Sequence, residues 1–149
     1  MSITYASMFS CAGVGDYGFH QSGLKCQATQ ELEPRRMQFQ RLNNLCARDD
    51  GYITGDITDA AVYAEFIEQA RGVDMLMATP PCQGMSVANR KRGDERVRNS
   101  LVTRAISAVV DVVPTAFIFE NVPSFLRTEC TGLDGTNRTI GEEINRMLG

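Results

Sequence analysis

Met75 to Ala78 is an apolar run of four residues, too short for a helix, and Thr79, Pro80 and Pro81 follow it directly. A strand interior does not tolerate proline, because the ladder needs the N–H that proline lacks, so the run reads as a strand ending at Thr79. Cys82 then stands just past a strand's carboxyl end, on a turn that two prolines stiffen. In open parallel α/β sheets, ligands collect in the crevice beyond those ends. A thiol placed there is either a half-buried structural cysteine or a nucleophile aimed at a bound ligand, and the rest of the chain has to decide between them.

The other apolar runs repeat the pattern of strand, loop and helix. Ser2 to Phe9 reads as a first strand opening into SCAGVGDYGF, with glycines at 13, 15 and 18. Such a loop lets backbone approach a ligand, although Asp16 and Tyr17 favour a nucleoside without a close phosphate over a dinucleotide. Lys25 to Gln30 reads as a second strand, and Glu31 at its end lies where an acid can accept hydrogen bonds from both hydroxyls of a ribose. Pro34 suits the start of a helix, expected over 34–47. Tyr52 and Ile53 make a short third strand leading to Asp56, either a simple turn aspartate or an acceptor for an adenine amino group.

Thr58 is expected to cap a helix over 59–70 that turns Val62, Phe66, Ile67 and Ala70 inward. A further helix, 98–113, carries Leu101, Ala105, Val109 and Val113 at i, i+4 spacing. Ala116 to Phe119 is the fifth strand, delivering Glu120, expected to be buried, and Asn121 to the same sheet edge as Cys82. A polar loop follows Arg127, then a last helix over 139–148. The expected fold is therefore α/β, a parallel sheet of about five strands with helices on both faces.

Composition narrows the function. The 149 residues fit one domain, and 43% hydrophobic with 22% charged content is that of an ordinary globular chain. No apolar stretch approaches the ~20 residues that span a bilayer, and the first residues do not read as a secretory signal, so a cytoplasmic location without membrane contact is expected. Five cysteines without a C-x-x-C pair, and a single histidine, argue against a zinc site. A net charge of −3 argues against holding nucleic acid by bulk charge. A local patch remains available in NRKRGDERVR, residues 89–98, either a solvated loop or one that closes over phosphates.

Taken together, FSCAGVGDYGF, the acid of QELEP, GDIT, TPPCQGMS, RNSL and FENVPSFL follow the order and spacing of the C5-cytosine DNA methyltransferases, which residues 5 to 126 resemble. Cys11 and Val14 depart from the pattern, standing where that family usually has glycines. The resemblance implies a Rossmann-like methyltransferase fold using S-adenosyl-L-methionine and releasing S-adenosyl-L-homocysteine. It implies Phe9, Ala12, Gly13, Gly15, Glu31, Asp56, Ile57 and Leu101 at the cofactor. Cys82 would add to C6 of a cytosine flipped out of double-stranded DNA, Glu120 would hold the base, and Asn121 would fix the Cys82 loop. Pro81, Gln83, Ser86, Arg90, Lys91 and Arg92 would meet the substrate.

On this resemblance, residues 1–149 are the N-terminal part of a catalytic domain, without a target recognition domain. Turnover is expected to need a missing C-terminal part or a second polypeptide, and a restriction-modification role is one setting for it. The rival readings are a tRNA cytosine-C5 methyltransferase of the same fold, a non-catalytic cofactor-binding subunit, and an NAD-dependent oxidoreductase suggested by the glycine loop with Glu31.

Overall fold

The computed structural model describes residues 2–81 and 95–149, with the backbone alone for 95–100. Five short strands form one parallel sheet: β1 (Thr4–Met8), β2 (Lys25–Glu31), β3 (Tyr52–Thr54), β4 (Met75–Ala78) and β5 (Ala116–Phe119), in the order β3-β2-β1-β4-β5. The order reverses beside β1, so the crevice of the switch point opens between the loops after β1 and β4.

Alternation along β1 sorts the two faces. Ala6 and Met8 join Phe66, Val73, Leu76, Ala105 and Val109 in the main core, against helices α3 (Ala60–Gln69) and α4 (Glu95–Val112). Tyr5 points to the other face, where Cys26, Met37, Cys46 and Tyr52 pack beneath α1 (Val14–Gln21) and α2 (Pro34–Leu42). Helices thus cover both faces of the sheet around β1 and β2, as buried parallel strands require, while β5 stays largely exposed.

Several boundaries move for identifiable reasons. Helix α2 stops at Leu42, short of the expected 47, because Asn43 caps it and Asn44 takes a left-handed φ of 50°. Asp59, rather than Thr58, caps α3, its side chain accepting from the N–H groups of Ala61 and Val62. Val113 leaves the expected inward stripe: it is 78% exposed, with φ 53°, past the end of α4.

The polar stretch after Arg127 is not simply a loop. It contains an antiparallel hairpin, β6 (Glu129–Thr131) and β7 (Asn137–Thr139), which runs into α5 (Ile140–Leu148) through a capping box between Thr139 and Glu142. Val102 and Ile106 on the outer side of α4 pack there against Phe125, Cys130 and Ile140.

Candidate functional site

The loop after β1 is held in an uncommon shape. Phe9 and Cys11 have φ of 58° and 52°, each a conformation that costs a non-glycine residue about 1–2 kcal/mol unless its surroundings impose it. The surroundings do so through buried polar side chains. Gln40, fully buried on α2, donates from Nε2 to the Ser10 hydroxyl at 2.7 Å and to the Cys11 carbonyl at 2.8 Å, while its Oε1 accepts from Thr29 at 2.8 Å. Gln30 accepts the Phe9 N–H on Oε1 at 3.3 Å and donates from Nε2 to the Gly55 carbonyl at 2.8 Å, tying the loop to the one that carries Asp56. Thr79 donates its hydroxyl to the Phe9 carbonyl at 2.9 Å, joining the same loop to the Pro-Pro turn.

Glu31 is only 3% exposed at the end of β2. Its Oε2 accepts the Cys11 N–H at 2.9 Å; its Oε1 accepts the Glu33 N–H at 3.0 Å and pairs with the Arg36 guanidinium at 3.4 Å. A carboxylate offers about four lone-pair sites, so acceptor capacity is left, and the long Arg36 contact is the easiest to exchange. Asp56 accepts the N–H and the hydroxyl of Thr58 on one oxygen, at 2.9 and 2.7 Å, which leaves its other oxygen's lone pairs uncommitted to that turn.

Two cavities adjoin at this edge. One, of about 470 Å³, is lined by Phe9, Cys11, Gln30, Glu31, Leu32, Glu33, Arg36, Asp56, Ile57, Thr79, Pro81 and Leu101. The other, of about 500 Å³, is lined by Ser10, Cys11, Val14, Gly15, Asp16, Met77, Thr79, Pro80, Pro81, Glu120, Asn121 and Val122. Cys11, Thr79 and Pro81 belong to both, so the pair forms one bent cleft of the size that takes a small-molecule ligand. Asn121 donates from Nδ2 to the Pro80 carbonyl at 2.8 Å, and its Oδ1 accepts the Val122 N–H at 2.9 Å, which ties the end of β5 to the turn before residue 82.

The structure brings together Phe9, Glu31, Asp56, Ile57 and Leu101 in one lobe and Gly15, Glu120 and Asn121 in the other, with Pro81 between. Glu120 is exposed, not buried as expected: it follows β5, one of the sheet's two outer strands and one whose own residues stand largely open. Ala12 and Gly13 line neither lobe. Gly13 answers a packing need: its φ is 79°, and a Cβ there would sit 2.3 Å from Leu45 Cδ1 and 3.0 Å from Gln40 Cγ. Cys82, Gln83, Ser86, Arg90, Lys91 and Arg92 lie outside the described residues.

Sequence reasoning missed Gln30 and Gln40, whose partners are distant in the chain, and mistook Asp16 for a loop residue. Asp16 is fully buried on α1, takes a 2.5 Å hydrogen bond from the Ser7 hydroxyl on Oδ1, and has no partner on Oδ2. Burial pushes its carboxyl above the usual range.

The chain is similar to known proteins in both sequence and fold. Residues 3–142 match the family model of the C-5 cytosine-specific DNA methylases. The type II methyltransferase M1.HgaI of Avibacterium volantium is 32% identical over 134 residues, which cover 86% of this chain and 37% of that protein. The type II methyltransferase M.AquIA of a Picosynechococcus is 32% identical over 124 residues, 80% of this chain and 48% of its own length. The chain therefore spans less than half of these relatives. In fold, the Dnmt2 methyltransferase of S. pombe superposes with a TM-score of 0.60 at 15% identity, covering 99% of this chain and 40% of that one. With the glycine loop, the Pro-Pro turn and the Glu-Asn-Val end of β5 converging on one cleft, the chain belongs to the C5-cytosine-specific DNA methylase family.

Proposed function

We propose that this chain is the cofactor-binding, nucleophile-bearing portion of an enzyme that methylates C5 of cytosine in double-stranded DNA. The observation that carries the reading is the bent cleft: a nucleoside-sized lobe with an acid at each of two strand ends, continuous with a lobe that runs from the Pro80-Pro81 turn to Glu120. S-adenosylmethionine would supply an electrophilic methyl group on a sulfonium. Phe9, Ile57 and Leu101 offer apolar surface to its adenine, Asp56 an acceptor to the amino group, and Glu31 an acceptor to the ribose, where a hydroxyl takes the place of the Arg36 contact. S-adenosylhomocysteine, the product, would hold the same contacts.

On this reading the chain's own chemistry begins at residue 82. Cytosine C5 is too electron-poor to take a methyl group unaided, so the Cys82 thiolate adds to C6 and raises electron density at C5. Glu120 holds the N3 and amino edge of the flipped base and stabilises charge as it develops there. Asn121 acts through the Pro80 carbonyl, fixing the turn that aims the sulfur. Loss of the C5 proton and departure of the thiolate would close the cycle. Gln83 and Ser86 would meet DNA beside the base, and Arg90, Lys91 and Arg92 its phosphates.

Turnover on this reading also needs polypeptide beyond these residues, in the same or a second chain. Phe117 and Ile118 on β5 are 41% and 40% exposed, an unusual state for a parallel strand and one that a further strand or helix would relieve.

The test is a covalent trap. Duplex DNA bearing 5-fluorocytosine, incubated with the chain, S-adenosylmethionine and a relative's C-terminal portion in trans, is expected to give a denaturation-resistant adduct that Cys82→Ala abolishes. An adduct on tRNA and none on duplex DNA would move the substrate to RNA. A folded, cofactor-binding chain with no adduct on either would make it a non-catalytic subunit.

A further inference from the structure

Away from the cleft, at the amino end of β2, two thiols face each other. Cys26 and Cys46 are both free and buried, 1% and 8% exposed, with their sulfurs 2.9 Å apart. Their meeting is built into the backbone. The two residues are partners in a parallel bridge, and the Ala47 N–H donates to the Cys26 carbonyl at 3.1 Å. The Cys46 N–H donates to the Tyr52 hydroxyl at 2.8 Å, and Arg41 lies over the Tyr52 ring, 4.6 Å from its centre. Gly51 lets the turn before β3 lie against β2, since a Cβ there would fall 2.3 Å from the Gln27 carbonyl oxygen and 3.4 Å from the Cys46 Cβ. Neither sulfur has a role in the cleft, whose lining contains neither residue.

We infer that Cys26 and Cys46 form an oxidant-sensitive modification site, a dithiol that closes to a disulfide when a peroxide reaches it. Cys46 is the more accessible of the two and reacts first: its sulfur takes one oxygen from hydrogen peroxide, giving a sulfenic acid and one water. The Cys26 sulfur then attacks that sulfur, the S–O bond breaks, and the Cys26 proton leaves with the departing hydroxide as a second water. Two thiols are oxidised by two electrons and one peroxide is reduced. The new bond ties β2 to the α2–β3 connection through a loop of about 20 residues, which constrains the unfolded chain far more than the folded one. It sits at the opposite end of β2 from Glu31, so the cofactor lobe is left in place.

The experiment treats the purified chain with hydrogen peroxide, then alkylates remaining thiols in denaturant and maps the peptides. The expected result is a mass lower by two hydrogens, one disulfide-linked peptide pair containing Cys26 and Cys46, and a Tm raised by roughly 5–10 °C that a dithiol reductant reverses. Cys46→Ser is expected to remove both the linked pair and the shift. Full alkylation of Cys26 and Cys46 after peroxide treatment would overturn the inference, as would a linkage of either to another cysteine. The readout involves no cofactor and no DNA, so its failure is separable from that of the proposed function.

Discussion

The two flanks of the sheet are finished to different degrees. On the β1–β2–β3 side both faces are covered and, among the described residues, the buried polar side chains are paired except at Asp16 Oδ2: Gln30, Gln40, Ser10 and Thr29 form a buried hydrogen-bonded set that holds two left-handed residues in place. On the β5 side, Phe117 and Ile118 stand open and Val113 is nearly bare. A satisfied polar network rigidifies the backbone above it, whereas exposed apolar surface is free energy not yet gained. The difference teaches that the lobe proposed for the cofactor rests on a rigid, well-paired backbone, while the strand that leads to Glu120 leaves apolar surface open.

The contrast is sharpest at Leu76 and Phe117, register partners on β4 and β5. Leu76→Ala is expected to cost about 3 kcal/mol in urea unfolding, because it leaves a cavity in the main core. Phe117→Ala, on a larger side chain, is expected to cost less than about 1 kcal/mol in the isolated chain. Equal losses would mean that β5 is as well packed as β4.

A second break tests the role proposed for Glu31 at a ribose. Glu31→Ala is expected to weaken S-adenosylhomocysteine binding by 10- to 100-fold, about 1.4–2.8 kcal/mol, by calorimetric titration. Asn121→Ala separates the lobes: with two part-buried side-chain hydrogen bonds gone it should cost about 1 kcal/mol of stability and slow the trapping of fluorocytosine DNA, with cofactor affinity unchanged.

Buried acids on the two flanks respond to pH with opposite sign. Asp16 has its carboxyl raised by burial above the usual 3.8, so it binds its proton more tightly folded than unfolded. Its penalty is absent below the unfolded value and sets in as pH rises from there through the raised folded value. Glu143, fully buried on α5, is lowered from the usual 4.5 chiefly by its hydrogen bonds with Arg146, opposed by burial and helped by Arg138. Its contribution is present above the unfolded value and is lost as pH falls through the lowered folded one. Urea midpoints from about pH 3 to about pH 7 should show the neutral-side penalty disappear in Asp16→Asn and part of the acid-side loss disappear in Glu143→Gln. Parallel curves for both variants and the parent would contradict the assignment.

β1, β3, β4 and β5 were legible as short, largely apolar runs, with Gly55 after β3 and Pro80-Pro81 after β4, whereas β2, KCQATQE, is mostly polar; Glu31, Asp56, Pro81 and Glu120, expected beyond strand ends, line the cleft. What stayed hidden was set by distant partners. Nothing local to Gln40 announces Ser10 and Cys11 as its acceptors, and in TGLDGTNRT the Asp134-Gly135 turn signal was passed over because the flanking residues are polar and α4 supplies the surface for Cys130. The expected burial of Glu120 failed for a similar reason, since the position of β5 as outer strand is a property of the whole sheet. Asn44 ended α2 early through a left-handed turn that its helical neighbours do not foreshadow.

The most direct measurement is a titration of the isolated chain with S-adenosylhomocysteine and, separately, with NAD. One saturable site for the first, of micromolar order and lost in Glu31→Ala, with no heat from the second, is the expected result. A folded chain that binds neither, or binds only NAD, would contradict a cofactor lobe complete within these residues.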